Sequence, residues 1–175
     1  RPQRGGRFCL LCGLGHVGYR VVRQLLDFGQ EVIAIERNSQ APFLERTQRV
    51  GVPILLGDAS DLEMLRQAGV EKALSIVVAT NDDLLNLKIV LNARGLNPAI
   101  RVVLRMFDAE LAEKVGLGFG IPTVFSASAI AAPAFATAAV RAGVTHSFHL
   151  EGYLLHVSEV IVRADGQLAG RTVQD

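Results

Sequence analysis

The chain has 175 residues, half of them hydrophobic, and a formal net charge of +1. That length holds one full domain and part of another, and that apolar content excludes a disordered chain. Arginines are dispersed rather than gathered into a stripe, which removes the electrostatic case for nucleic acid, and neither a bilayer-length apolar run nor a signal peptide is present.

The chain begins at Arg1-Pro2-Gln3-Arg4-Gly5-Gly6, a linker without an initiator Met. It therefore reads as a piece of a longer protein, with room for membrane segments outside it. Phe8-Cys9-Leu10-Leu11-Cys12 is an apolar run of strand length. It leads into Gly13-Leu14-Gly15-His16-Val17-Gly18, a G-x-G-x-x-G pattern that opens a helix with Val17, Val21, Leu25 and Phe28 at helical spacing. Each glycine has a steric reason. Gly13 permits the tight turn, Gly15 lets the backbone approach a pyrophosphate, and Gly18 allows the helix to pack on the strand. The helix start, with its exposed amides and positive dipole end, favours an anion. Gly29 stops the helix, and the strand Glu31-Val32-Ile33-Ala34-Ile35 ends on Glu36, about 20 residues past the glycines, where a carboxylate takes ribose hydroxyls. These residues predict a nucleotide site.

Cys9 and Cys12 form C-x-x-C. In a strand, residues three apart point to opposite faces, so the spacing fits neither a redox pair nor a zinc site, and two buried free thiols in a reducing cytoplasm are expected.

After Glu36, residues 37–40 read as a polar loop and 41–50 as a short helix with Phe43 and Leu44 inward. Val52-Pro53-Ile54-Leu55-Leu56 is a third strand, ending in Gly57-Asp58-Ala59 at a strand's carboxyl end, where open α/β sheets bind ligands. Ser60 or Asp61 caps a helix over 62–68 that stops at Gly69. A fourth strand over 74–79 runs into Thr80-Asn81-Asp82-Asp83, and a helix over 82–93 closes with Gly95 and Asn97-Pro98. The fifth strand covers 100–105. Asp108 caps a short helix over 109–115, and the sixth strand, 123–125, follows a glycine-rich stretch at 116–120. Six near-continuous apolar strands alternating with helices predict an α/β fold, a Rossmann-like doubly wound parallel six-stranded sheet covered on both faces.

Residues 126–142 are helical in propensity apart from Pro133, yet almost without a polar face. Such a helix needs cover on every side, which its own sheet, a second subunit or another domain supplies; a subunit or domain contact is the favoured expectation. Beyond Gly143, two strands are expected over 146–150 and 153–162, with Glu151-Gly152 a turn between them and a further turn at 165–171. This is a truncated β-containing C-terminal segment, the start of a second domain.

For catalysis the candidates are sparse. His16 either touches a phosphate or faces solvent. His146 and His149 diverge in a strand, and with His156 they make a weak metal set. Asp58, Asp82 and Asp83 are possible paired carboxylates, but each also sits where a cap or turn wants an acid. No substrate domain of dehydrogenase type follows the sixth strand, which disfavours hydride transfer; an NAD-dependent oxidoreductase fragment is the alternative.

The glycine loop, Glu36, Gly57-Asp58-Ala59, Ala79-Thr80-Asn81-Asp82, Arg105 and the alanine-rich helix after the sixth strand together resemble a TrkA-N or RCK domain, the cytoplasmic regulatory module of potassium channels and Trk/Ktr transporters. The resemblance covers residues 7–142, and the segment 143–175 is similar to the opening of a TrkA-C domain. It implies a nucleotide-binding regulator rather than an enzyme, held at the inner membrane through its parent protein. Gly13, Leu14, Gly15, His16, Val17 and Gly18 would hold phosphates. Glu36, beside Arg37, would take the adenosine ribose, Asp58 and Ala59 would border the adenine, Thr80 and Asn81 would line the cleft, and Arg105 would reach toward the distal phosphate or second nucleotide. The implied ligands are NAD or NADH, or an adenine nucleotide such as ATP, ADP or AMP. Some Ktr-type members carry an arginine, associated with the terminal phosphate of ATP, where this chain has His16. That departure bears against ATP-specific sensing. Acidic Glu36 disfavours NADP by repulsion with its 2′-phosphate, an effect that Arg37 weakens. The resemblance also implies a homodimer through the 126–142 helix, a higher ring, and a channel or transporter subunit as partner.

Overall fold

A computed structural model describes residues 8–140, 144–150, 153–158, 161–162, 164–166 and 169–172. Contacts divide the chain into two compact units, Arg1–Ala127 and Ser128–Asp175.

In the first unit, β1 (Phe8–Cys12), β2 (Glu31–Glu36), β3 (Ile54–Leu56), β4 (Ser75–Val78), β5 (Arg101–Met106) and β6 (Val124–Ser126) form one sheet in the order β3-β2-β1-β4-β5-β6. Every pairing in it is parallel. The α-helices between them are α1 (His16–Asp27), α2 (Leu44–Arg49), α3 (Leu62–Gln67), α4 (Asp83–Leu96) and α5 (Ala109–Phe119), with a single 3-10 turn at Val70–Lys72 before β4. The strand order reverses between β1 and β4, which leaves a crevice at the carboxyl ends of those strands.

Alternation along the strands builds two cores. Leu10, Cys12, Ile76, Val78, Val102 and Leu104 point to one face, where Leu65 of α3, Ile89 and Val90 of α4 and Val115 of α5 cover them. Leu11, Val77, Val32 and Ala34 point to the other, against Val22 of α1. Burying each such Leu, Ile or Val contributes about 1.5–3 kcal/mol. The apolar runs are continuous because both faces must be dry.

Local chemistry sets the ends. Asp61, Asp82 and Asp108 each cap a helix, accepting from the N–H groups of Glu63, of Leu85, and of Glu110 and Leu111, respectively. Several expected ends change: the third strand, expected over 52–56, is Ile54–Leu56, and the strand expected over 153–162 is Tyr153–Ser158. The helix expected over 41–50 is confined to Leu44–Arg49, with Phe43 half-buried at its N-cap. Helix α4 runs through Gly95 to Leu96. Helix α5 continues through Gly116 to Phe119 instead of stopping at Val115, and ends where Gly120 turns left-handed at φ +59°. Gly116 is no breaker there: it stays helical, and its carbonyl accepts from Ile121 N–H at 3.0 Å. Arg94 then donates to the Phe119 and Gly120 carbonyls at 2.7 and 3.0 Å, closing the end of α5.

The second unit contains all but the first residue of α6 (Ala127–Val140), which runs through Pro133, and an antiparallel hairpin of β7 (Val144–Leu150) and β8 (Tyr153–Ser158). Along α6, Ile130, Phe135 and Val140 are exposed and Thr137 is buried. In the hairpin Ser147 and His156 face each other, Oγ to Nδ1 at 2.9 Å. The turn expected at Glu151-Gly152 and the side chains of His146 and His149 lie outside the described residues. Among the described residues no helix is long and apolar enough to cross a membrane.

Candidate functional site

A cleft of about 520 Å³ opens at the carboxyl ends of β1, β2, β3, β4 and β5. Gly13, Leu14, Gly15, His16, Val17, Glu36, Arg37, Asp58, Ala59, Thr80, Asn81 and Arg105 all line it. Of the residues expected at the site, Gly18 alone is not among its lining.

The glycines divide the work as their positions predict. Gly13 sits at φ +97°, a conformation L side chains rarely adopt, and donates its N–H to the Ile35 carbonyl at 2.9 Å. Gly18 lies behind the loop, where a Cβ would stand 1.9 Å from the Gly13 carbonyl oxygen. Gly15 is in ordinary extended geometry with open space where a Cβ would go. As the N-cap of α1 it offers no side-chain acceptor, and no acid occupies the first turn. The first-turn amides of α1 therefore have only water or a ligand to satisfy them, and the helix dipole favours an anion there.

Glu36 ties the end of β2 to this loop. One carboxylate oxygen accepts from Leu14 N–H at 2.5 Å and the other from Asn38 N–H at 2.8 Å. Across the cleft floor, Arg37 approaches Asp58 at 4.0 Å. The Ser60 backbone N–H, 2.8 Å from Asp58, holds that carboxyl below its ordinary value against the opposing effect of burial; the Ser60 side chain, Arg37 and Lys88 add to the lowering.

His16 is exposed and lines the cleft, but it is not isolated. Its ring meets Phe43 edge-on at 4.9 Å, and Tyr19 stacks on Phe43 at 4.7 Å with 11° between the planes. The guanidinium of Arg46 lies 5.8 Å from the Phe43 ring centre.

Asp82 and Asp83 are committed elsewhere. Asp82 caps α4, while Asp83 accepts from Phe107 N–H at 2.8 Å and Asp108 N–H at 3.1 Å. The thiols of Cys9 and Cys12 are free and buried, and burial pushes the Cys12 thiol up to about 12.

Sequence reasoning missed Asn38, Ala41 and Pro42 on the cleft rim, and Leu85 and Ile89, which α4 presents one turn apart. It also missed Asn86, fully buried beneath Thr80 and Arg105. The available signal was a lone amide with the apolar residues Ile89, Val90 and Ala93 at i+3, i+4 and i+7 from it on the same helix face, since buried polar side chains are the informative exceptions in a core.

Comparison with known proteins points one way. A Trk system potassium uptake protein TrkA homolog from Pyrococcus abyssi is 31% identical over 101 residues, 58% of this chain and 44% of that protein. The chain spans less than half the length of the curated relatives it matches. Two solved structures share the fold. The Kef C-terminal domain of Shewanella denitrificans in AMP-bound form superposes with a TM-score of 0.67 at 22% identity, over 77% of this chain and 79% of that one. The GsuK channel bound to NAD gives 0.64 at 19% identity, over 77% and 24%. The model of the TrkA-N domain family matches residues 9–127, well over half the chain. On that match, with a glycine loop, an acidic β2 end and a cleft at the strand reversal in the places such a fold requires, the chain belongs to the TrkA-N domain family.

Proposed function

We propose that this chain is the nucleotide-receiving part of a regulator of a potassium channel or transporter, and that it works by binding rather than by catalysis. The observation that carries the proposal is the cleft, in which an uncapped helix start, an open Gly15, Glu36 and Arg105 line a single cavity. Two features support the fit of an adenine nucleotide or NAD(H). The space at Gly15 leaves room for a pyrophosphate against the loop, and Arg105 carries a buried Nε with no hydrogen-bond partner. Gly13 to Val17 would hold phosphates, Glu36 the ribose, Asp58 and Ala59 the adenine edge, Thr80 and Asn81 the wall, and Arg105 a distal phosphate. The relatives bound to AMP and NAD support the ligand class. The commitment of Asp82 and Asp83 to backbone amides supports a receptor over an oxidoreductase, because these carboxylates already have structural partners.

Regulation would run through subunit geometry. The exposed Ile130, Phe135 and Val140 of α6 support a contact between copies of the chain, and a ring of such dimers would couple to membrane segments of a parent protein on the cytoplasmic side. A nucleotide that binds one dimer angle better than another shifts the population toward it, by no more than its difference in affinity for the two.

Calorimetric titration with NAD, NADH, ATP, ADP and AMP tests the receptor role, with NADH absorbance followed in the presence of candidate substrates. Saturable binding without turnover is expected; turnover refutes it. Light scattering tests the dimer, and a monomer at high concentration with and without nucleotide refutes that part.

A further inference from the structure

Beyond the last rung of the β4–β5 ladder, Val78 opposite Leu104, two side chains join the strand ends, Asn86 from α4 and Arg105 from β5 itself. The Asn86 amide is completely buried. Its Nδ2 donates to the Thr80 carbonyl at 3.2 Å and to the Arg105 carbonyl at 3.0 Å, and its Oδ1 accepts from Thr80 N–H at 3.2 Å and Thr80 Oγ–H at 2.5 Å. All four hydrogen-bonding positions of the amide are used. Arg105 in turn donates from Nη1 to the same Thr80 carbonyl at 2.8 Å, while its buried Nε has no partner. Among the described residues, no carboxylate forms an ion pair with this guanidinium. The cation is held by backbone carbonyl geometry that Asn86 sets.

We infer that Asn86 is a positioning residue for the far end of the cleft. It orients Arg105 and Thr80 and thereby sets the preference for ligands that extend past the glycine loop over those that stop at it. This rests on the nucleotide-receptor reading above. Sheet order supplies the selectivity: Glu36 ends β2, Arg105 ends β5, and β1 and β4 lie between. Three strand spacings of ~4.8 Å put the two strands about 14 Å apart. A mononucleotide seated at Glu36 with its phosphate on the loop spends its charge before Arg105, whereas a dinucleotide carries further groups toward β4 and β5. Loss of the Asn86 amide removes its four bonds and leaves the Nη1 bond of Arg105 to the Thr80 carbonyl as the remaining tie between the two residues, while Glu36 keeps its own partners.

The test is binding of NAD and of AMP to wild type, Asn86→Ala, Thr80→Val, Arg105→Gln and the Asn86→Ala/Arg105→Gln pair, with thermal melts of each. Asn86→Ala is expected to weaken NAD by about tenfold, the equivalent of one charge-assisted hydrogen bond, and AMP by less than about twofold. Thr80→Val, which removes one of the four bonds, is expected to shift the ratio in the same direction by less, and it carries the test should Asn86→Ala not fold. In the Arg105→Gln background Asn86→Ala should add little to the NAD loss, because both act through one group. Equal losses for the two ligands, an unchanged ratio in both Asn86→Ala and Thr80→Val, or additive losses in the pair would overturn the inference. Failure of wild type to bind either ligand would instead overturn the receptor reading on which it stands.

Discussion

Replacing Glu36 by Gln tests whether this carboxylate is part of the loop's framework as well as a ligand group. Both of its oxygens accept from backbone amides, Leu14 N–H at 2.5 Å and Asn38 N–H at 2.8 Å. A carboxylate accepts on both sides, but a carboxamide has one oxygen and one NH2, so one of the two amides must face a donor. A hydrogen bond to a charged group contributes about 1.5–3 kcal/mol, and half-exposure of the site lowers this toward about 1–2 kcal/mol. For a domain of this size each kcal/mol shifts the melting temperature by about 2–4 °C, so Glu36→Gln should melt about 2–8 °C below wild type in the absence of any nucleotide. Differential scanning calorimetry on the two proteins, freed of co-purifying ligand, measures this. Glu36→Asp, which keeps the charge but is one methylene short of spanning both amides, should fall in the same direction. A Glu36→Gln protein melting within about 1 °C of wild type would refute the framework role and leave Glu36 a ligand group alone.

The two glycines after Gly13 should separate stability from binding. Gly18→Ala, with its Cβ 1.9 Å from the Gly13 carbonyl, should lose at least about 1–3 kcal/mol in urea unfolding, whereas Gly15→Ala, at φ −76° with open space, should change stability by less than about 1 kcal/mol yet abolish calorimetric binding of NAD. Asp58 has a folded pKa below its ordinary 3.8, so its contribution to stability is present above that value and lost as pH falls through the lower folded one. Asp58→Asn should therefore flatten stability against pH below about 4, modestly because the side chain is 43% exposed, and an unchanged acid limb would contradict the assignment. Ellman's reagent should find neither Cys9 nor Cys12 reactive in the native protein and both reactive in guanidinium, a rapid native reaction being the contrary result.

Strand ends were legible because their chemistry is local. An apolar run ending in G-x-G, Glu, G-D-A or T-N-D marks a carboxyl end whatever the rest of the chain does, and these ends converge at the strand reversal. Helix ends were less so. Gly116 carries the propensity of a breaker, roughly 1 kcal/mol worse than Ala, but α5 runs through it to Gly120, where the left-handed turn is made, and propensity alone does not choose between two glycines four residues apart. Asn86 was invisible as a site residue for a similar reason. Its partners lie 6 and 19 residues away, and only the β4–β5 pairing brings them to one amide. The rim formed by Asn38, Ala41 and Pro42 follows from the path of an irregular loop, which hydrophobic periodicity does not describe.

The stacked rings beside the glycine loop give this protein an optical handle. The chain has no Trp and only two Tyr, and Tyr19 lies flat against Phe43 next to His16, which lines the cleft. Events at the start of α1 thus fall within reach of an emitter that a single exchange, Phe43→Trp, would make spectroscopically unique. The lip of the cleft becomes addressable by light without any label being attached.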